Sequence, residues 1–365
     1  MGGQMNEKRA MTVLGPVPAA ALGVTLTHEH LLFDQVRYAT QSSVPEEEKF
    51  ADATVEMHHL GALRRNAGLI PDNARVDDPD LAAREAAEFR RVGGGTIVDV
   101  SCNGLGRDPV GLHQIAKETG LNIITCSGYY KAAGHPPDLA ERSSEDVAAE
   151  FVKELSEGIG STGIRAGVIG EIGTGQPLYM VPRQVWDLTD LPDVLPNEEK
   201  VLRAAGLAQA ETGAPVSVHT YNYRPNRLAH HALDILADAG ADLERVAICH
   251  LDTRPDPDYV ASIADRGAFV EFDTFGIESY TDSNFSQMAR DTDRIELVVE
   301  TIERGYVDHI LMSHDVCWKT LLVEYGGWGY AHISKHIEPR LRDAGVTDQQ
   351  IRTMRVSNPA RWLVY

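Results

Sequence analysis

Short apolar runs, rich in β-branched residues, alternate along this chain with longer segments whose apolar residues recur at helical spacing. Eight such runs cover residues 25–31, 96–101, 122–129, 167–173, 215–220, 246–252, 268–274 and 309–315. Each is almost continuously apolar until its last few residues, as expected of parallel strands buried on both faces. The intervening segments read as helices, among them 80–91, 197–212 and 228–239. Gly213 and Gly240 follow the last two as stop signals. Eight strand–helix alternations predict an α/β fold of the (β/α)8 barrel type. A doubly wound open sheet is the alternative. It calls for a Gly-rich phosphate loop after an early strand, and Gly93-Gly94-Gly95 precedes its strand instead. Two connections exceed simple helices. One runs from Asp34 to about Arg91, with a helical piece expected at 52–65, and the other covers 176–196. Long loops of this kind commonly form lids or subunit contacts. Without a low-complexity linker, residues 1–365 are read as one domain.

The chemistry gathers at the ends of the runs. The first ends Thr27-His28-Glu29-His30, the fourth Gly170-Glu171-Ile172-Gly173, the fifth with His219, the sixth with His250 and the eighth with Asp315. Carboxyl ends of barrel strands converge on one mouth, so these six residues should meet there. His28 and His30, two apart on a strand, should face the same side. A lone strand-end histidine is more often a packed core residue than a ligand. Six ligand-type residues at corresponding ends of five strands point instead to metal. Two nearby divalent cations lower the pKa of a water towards neutrality and polarise a substrate oxygen. Asp315 can ligate one and accept a proton.

Composition narrows the partners. The chain has 365 residues, 43% hydrophobic and 24% charged, with a net charge of −20. Such a surface repels nucleic acid, and Lys/Arg clusters for phosphates are absent from the sequence. No apolar run approaches a membrane span, and the polar first ten residues lack a signal-peptide core. A cytoplasmic protein acting on a small molecule is therefore expected. Cys102, Cys126, Cys249 and Cys317 form no C-x-x-C pair and read as buried hydrophobes.

The motifs 25–30, 170–173, 218–220, 248–252 and 313–315, with Ser357-Asn358-Pro359-Ala360 near the end, resemble those of the phosphotriesterase-related branch of the amidohydrolase superfamily. The likeness runs from about residue 12 onward. It implies two divalent cations, zinc first, with manganese, cobalt, iron or nickel accepted by the same ligand types. His28, His30 and Asp315 would hold the more buried ion, and His219 and His250 the more exposed one. The best-known members bridge the pair with a carboxylated lysine on strand four. Here residues 167–173 contain no lysine, and Glu171 takes that place, as glutamate does in some members. The change lowers the expectation of phosphotriester hydrolysis. Lactone or carboxylic-ester hydrolysis ranks first, with Asp315 as proton acceptor.

His250, Asp273 and Asp252 are candidates for relaying protons or for orienting a ligand. Substrate contacts are assigned to Tyr130, to Arg224 as a partner for an anion, and to Trp318 in an aromatic loop over the mouth. Tyr129 is the lesser candidate beside Tyr130. Lys131 is read as a surface lysine with a small chance of meeting an anion. Some family sequences are known as resiniferatoxin-binding, so a binding protein for a bulky apolar ligand is the rival reading. The family's habit of pairing implies a homodimer.

Overall fold

The computed structural model describes residues 8–38, 50–175, 194–220, 228–281 and 286–365. All eight expected runs appear in it as strands, seven of them shorter than the apolar run that signalled them and the second equal in length but shifted two residues earlier. In chain order they are β1 Val24–Glu29, β2 Gly94–Asp99, β3 Asn122–Ile124 (continuing as Cys126–Ser127), β4 Val168–Gly173, β5 Val216–His219, β6 Val246–Ile248, β7 Phe269–Phe272 and β8 Ile310–Met312. Every neighbouring pair from β1 to β8 is parallel and in sequence order. The ring closes between β8 and β1 with little ladder. The Asp315 N–H donates to the His28 carbonyl at 3.3 Å, and the His28 N–H to Ser313 Oγ at 3.1 Å. The protein is a (β/α)8 barrel.

Seven helices alternate with the strands: α1 Pro79–Arg91, α2 Pro109–Thr119, α3 Ser144–Ser156, α4 Pro196–Thr212, α5 Leu228–Asp238, α6 Pro257–Ala264 and α7 Asp291–Glu303. Their starts were legible in local chemistry. Asp78, Asp108 and Asp256 each precede a proline at the first helical position, and each carboxylate accepts N–H groups of the first turn. Gly120 and Gly213 end α2 and α4 at φ 68° and 72°, where a Cβ would be strained. The helix expected at 52–65 is not formed as such. A 3-10 turn, Met57–His59, leads into one helical turn, Leu60–Leu63. The segment before it is tied elsewhere, because the Val55 N–H donates to Asp72 Oδ2 at 2.8 Å. No described helix is long and apolar enough to cross a membrane.

Strand alternation sorts the core into two clusters. Ile97, Ile123, Ile169, Ile248, Val270 and Ile310 pack with the surrounding helices. Their neighbours Val98, Ile124, Val168, Ala247, Phe269 and Leu311 form an inner cluster with Trp362. Trp362, on the last helix, α8 Asn358–Leu363, is fully buried. Farther along β5, β6 and β7, the same inward parity places Ser217, Cys249 and Glu271 together. Ser217 Oγ lies 3.1 Å from Cys249 Sγ, and the thiol donates to Glu271 Oε2 at 3.2 Å. A polar layer thus separates the apolar floor from the mouth.

The seam has a second fastener. The Arg355 guanidinium is buried and donates to the carbonyls of Thr25 on β1 (3.2 Å) and Met312 on β8 (3.1 Å). Glu338 lies 3.5 Å from its Nε. Arg355→Met should lower unfolding stability by about 3–5 kcal/mol, as for other buried ion pairs broken from one side. Urea denaturation measures this. A loss within error of zero would show that the seam holds without it.

Candidate metal centre

The six residues converge. His28 and His30 leave the end of β1 with ring centroids 5.6 Å apart. Glu171 of β4 reaches between them and the histidines of β5 and β6. Its Oε1 contacts His219 Nδ1 closely and lies 3.1 Å from His250 Nε2. Its Oε2 faces His30 Nε2 at 3.8 Å. Asp315, past the end of β8, places Oδ1 3.2 Å from His30 Nε2 and 3.8 Å from His28 Nε2. Among the described residues four ligand-atom groups result: His28, His30 and Glu171; Glu171, His219 and His250; His28, His250 and Asp315; and, below them, His28 with Cys249, Glu271 and Asp273. His30, Glu171, His250 and Asp315 line a pocket of about 30 Å3 together with Phe33, Gln35, Leu105, Tyr130 and Cys317.

Electrostatics explains the state of each group. Burial opposes charge on His28, but Glu171, Asp273, Glu271 and Asp315 outweigh it and push its pKa up to about 10. His250 is likewise burdened by burial and raised well above the ordinary value, first by Asp273. Burial also opposes ionisation of Glu171 and Asp315, yet the surrounding histidines hold both carboxyls below the usual range. His219 goes the other way, down to about 3, through burial and then the nearby Lys131 charge.

This donor set fits divalent cations. Among the described residues neither ring nitrogen of buried His28 makes a hydrogen bond, although four carboxylates surround it. Buried polar atoms left without partners are rare and call for an explanation such as an ion. Nitrogen and carboxylate oxygen donors suit zinc and its neighbours.

Two of the residues sit in left-handed backbone, His250 at φ 63° and Asp315 at φ 50°. Such a residue costs of order 1–3 kcal/mol and persists only where surroundings hold it. For His250 the holder is Asp273, which accepts its backbone N–H (3.0 Å) and contacts its Nδ1 (2.9 Å). That contact orients the ring so that Nε2 meets Glu171, which is the orienting role weighed for Asp273. Asp252 lies elsewhere. It accepts the Thr274 N–H at 3.0 Å and pairs with Arg294 at 3.3 Å, so it is part of a structural ion pair.

Tyr130 reaches the pocket, with its hydroxyl 3.3 Å from His219 Nδ1. Tyr129 turns away and donates to Glu150 at 2.8 Å. Trp318 lines a separate cavity of about 310 Å3 with Leu63, Ile277, Tyr325 and Trp328, between the loops that follow β1, β7 and β8. Arg224 lies outside the described residues. Lys131 is not the surface residue the sequence suggested. It is 5% exposed, with Nζ 4.5 Å from the Tyr130 ring centre. The chain turns inward there because the Lys131 backbone packs on Gly173 of β4, where a Cβ would come within 2.4 Å of its nitrogen. Burial lowers its pKa to about 7, against the pull of Glu171, Glu198 and Asp315. Of the further histidines, none described joins a metal-type group.

Glu271 escaped the sequence reading, yet a signal was present. Glu271 on β7 and Asp273 just past its end stand two apart, the same spacing that marked His28 and His30. Gln35 and Leu105 line the pocket from loops, Phe33 from a two-residue strand paired with Arg75–Val76, and none of them carried a signal.

Comparison with known proteins gives the family. An N-acetyltaurine hydrolase from Salmo salar is 35% identical over 361 residues, 98% of each chain. The crystal structure of a resiniferatoxin-binding protein from Rhodobacter sphaeroides superimposes with a TM-score of 0.90 at 40% identity, covering 98% of this chain and 95% of that one. A lactonase structure from Listeria monocytogenes gives 0.75 at 26% identity, covering 97% and 98%. Residues 8–363 match the model of the phosphotriesterase family, and the chain belongs to that family.

Proposed function

We propose that this chain is a metal-dependent hydrolase that splits an acyl bond at a planar carbonyl. The observation that carries the reading is the convergence of His28, His30, Glu171, His219, His250 and Asp315 in one cluster of ligand atoms, four of which line the pocket. His28, His30 and Asp315 would hold one divalent cation, and His219 and His250 the other. Glu171 would span both, since its two oxygens face different histidines. Bound there, zinc or a similar ion supplies a water acidified towards neutrality and polarises the carbonyl.

The chain's own groups do the rest. Asp315 is the catalytic residue. Its side chain is 14% exposed against 0–7% for the other five, and its depressed pKa keeps it ionised, with a lone pair open to a proton. It takes the proton as water adds to the carbonyl carbon and returns it to the leaving group as the acyl bond breaks. Asp273 keeps His250 in place throughout. Tyr130 donates a hydrogen bond to the substrate from the pocket wall.

Two leaving groups are in contention. Relatives named for N-acetyltaurine hydrolysis share 33–35% identity, against 26% for the lactonase, which supports cleavage of an N-acyl bond. Lys131 supports the same choice, because its buried amine over the Tyr130 ring, only partly protonated near neutrality, gains a proton and a partner when it meets an anionic tail such as a sulfonate. Lactone or carboxylic-ester hydrolysis is the second reading, supported by the fold neighbours and by Tyr130. A phosphotriester substrate ranks below both.

Metal analysis of chain purified without chelator should find about two equivalents. Glu171→Gln should lose at least one of them, along with activity on N-acetyltaurine and on dihydrocoumarin. Two retained equivalents and full activity would remove Glu171 from the centre. Lys131→Met should cut the preference for N-acetyltaurine over uncharged N-ethylacetamide by about 10–100-fold, the worth of one charge-assisted hydrogen bond. An unchanged ratio of kcat/KM values would return Lys131 to a packing role.

A further inference from the structure

Glu29 lies between two candidate ligands in sequence, yet it points away from them. Its side chain is fully buried and crosses the seam to the segment after β8. Oε1 accepts the Ser313 hydroxyl at 2.7 Å and the His314 backbone N–H at 2.9 Å, and contacts His314 Nδ1 at 2.7 Å. Oε2 accepts the Val316 N–H at 3.1 Å. The carboxylate therefore grips the backbone on both sides of Asp315. N–H groups on either side of a left-handed residue can converge on one anion, as in a backbone nest, while the N–H between them goes elsewhere, here to the His28 carbonyl. Asp315, at φ 50°, is that residue.

We propose that Glu29 is a positioning residue for the hydrolytic centre: its carboxylate is the built-in anion of a backbone nest that forces Asp315 into the left-handed conformation and so aims the Asp315 carboxylate at His30. The geometry leaves Asp315 little choice. With the N–H groups of residues 314 and 316 turned to Glu29, the side chain between them projects to the opposite side, where Oδ1 meets His30 Nε2 at 3.2 Å. A hydrogen bond from the Cys317 N–H to the Asp315 carbonyl at 2.7 Å tightens the same turn. The same carboxylate also fixes His314. The His314 Nδ1 contact with Glu29 leaves Nε2 to accept the Ile333 N–H at 3.0 Å, which anchors the turn to the chain beyond it. One motif, His28-Glu29-His30, thus serves the centre twice. The histidines face it from β1, and the glutamate shapes the facing turn from behind.

This inference rests on reading Asp315 as a ligand and catalytic residue. The test is a double-mutant cycle on the full chain, with Glu29→Gln, Asp315→Asn and the pair. Cobalt(II) affinity is read by competition with a chromogenic chelator, and thermal melts report folding. Glu29→Gln should melt cooperatively and bind cobalt(II) about 10–100-fold more weakly, the usual loss for a partner that orients a ligand. Placed in the Asp315→Asn background it should cost less than about twofold more, because neighbours acting through one group are not additive. Equal losses in both backgrounds, or unchanged affinity in Glu29→Gln, would overturn the proposal. If Glu29→Gln does not fold, Ser313→Ala keeps the charge and removes the hydroxyl that donates to Glu29, together with the bond that hydroxyl accepts from the His28 N–H. It should show the same non-additivity at smaller size, and additivity there overturns the proposal too. A wild-type chain that binds no cobalt(II) would bring down the hydrolase reading itself, and this inference with it. Normal binding that Glu29→Gln leaves intact sinks this inference alone.

Discussion

Glu171, Glu271, Asp273 and Asp315 crowd the mouth of the barrel, the first three at 1% exposure or less. Taking a carboxylate out of water costs several kcal/mol, recovered only with good partners in good geometry. Like charges this close raise the cost further. The mouth is therefore built around supplying positive charge. Histidines from β1, β5 and β6 surround Glu171, and the carboxylates raise the proton affinity of His28 and His250. A site that draws protons so strongly onto nitrogen donors also draws divalent cations, which compete for the same lone pairs.

That arrangement needs backbone the chain would not adopt alone. His250 and Asp315 occupy left-handed conformations that side chains disfavour. A buried carboxylate from a neighbouring strand accounts for each. Asp273 takes the N–H and ring of His250, and Glu29 takes the N–H groups flanking Asp315. Strain at the ligands is met by charge-assisted hydrogen bonds just outside them, so the acidic residues do two jobs. Some face the centre, and others shape the turns that present it.

The barrel supports this from below. Inward positions pass from apolar at the floor, with Phe269, Leu311 and Trp362, through Ser217, Cys249 and Glu271, to the ligands above. β7 shows the gradient, as Phe269 and Glu271 within it and Asp273 just past its end follow each other at alternate positions. Closure is likewise left to side chains, because β8 and β1 meet through Arg355, Ser313 and Glu29 more than through their ladder.

The local code of this chain determined its strands, most of its helix starts and the identity of the converging residues. Period-two and helical spacings, Asp-Pro caps and stop glycines act between residues close in sequence, and such forces are written where they act. His28, His30, Glu171, His219, His250 and Asp315 were readable because barrel topology carries strand ends to one place. Tertiary structure alone decided the rest. Lys131 became buried through packing on Gly173, Trp318 went to a second cavity, Asp252 was claimed by Arg294, and the segment 52–65 was held by Asp72. Each outcome depends on a partner at least 17 residues away in sequence, as Val55 and Asp72 are. The desolvation and charge that set these roles belong to the folded neighbourhood, and local sequence does not encode it.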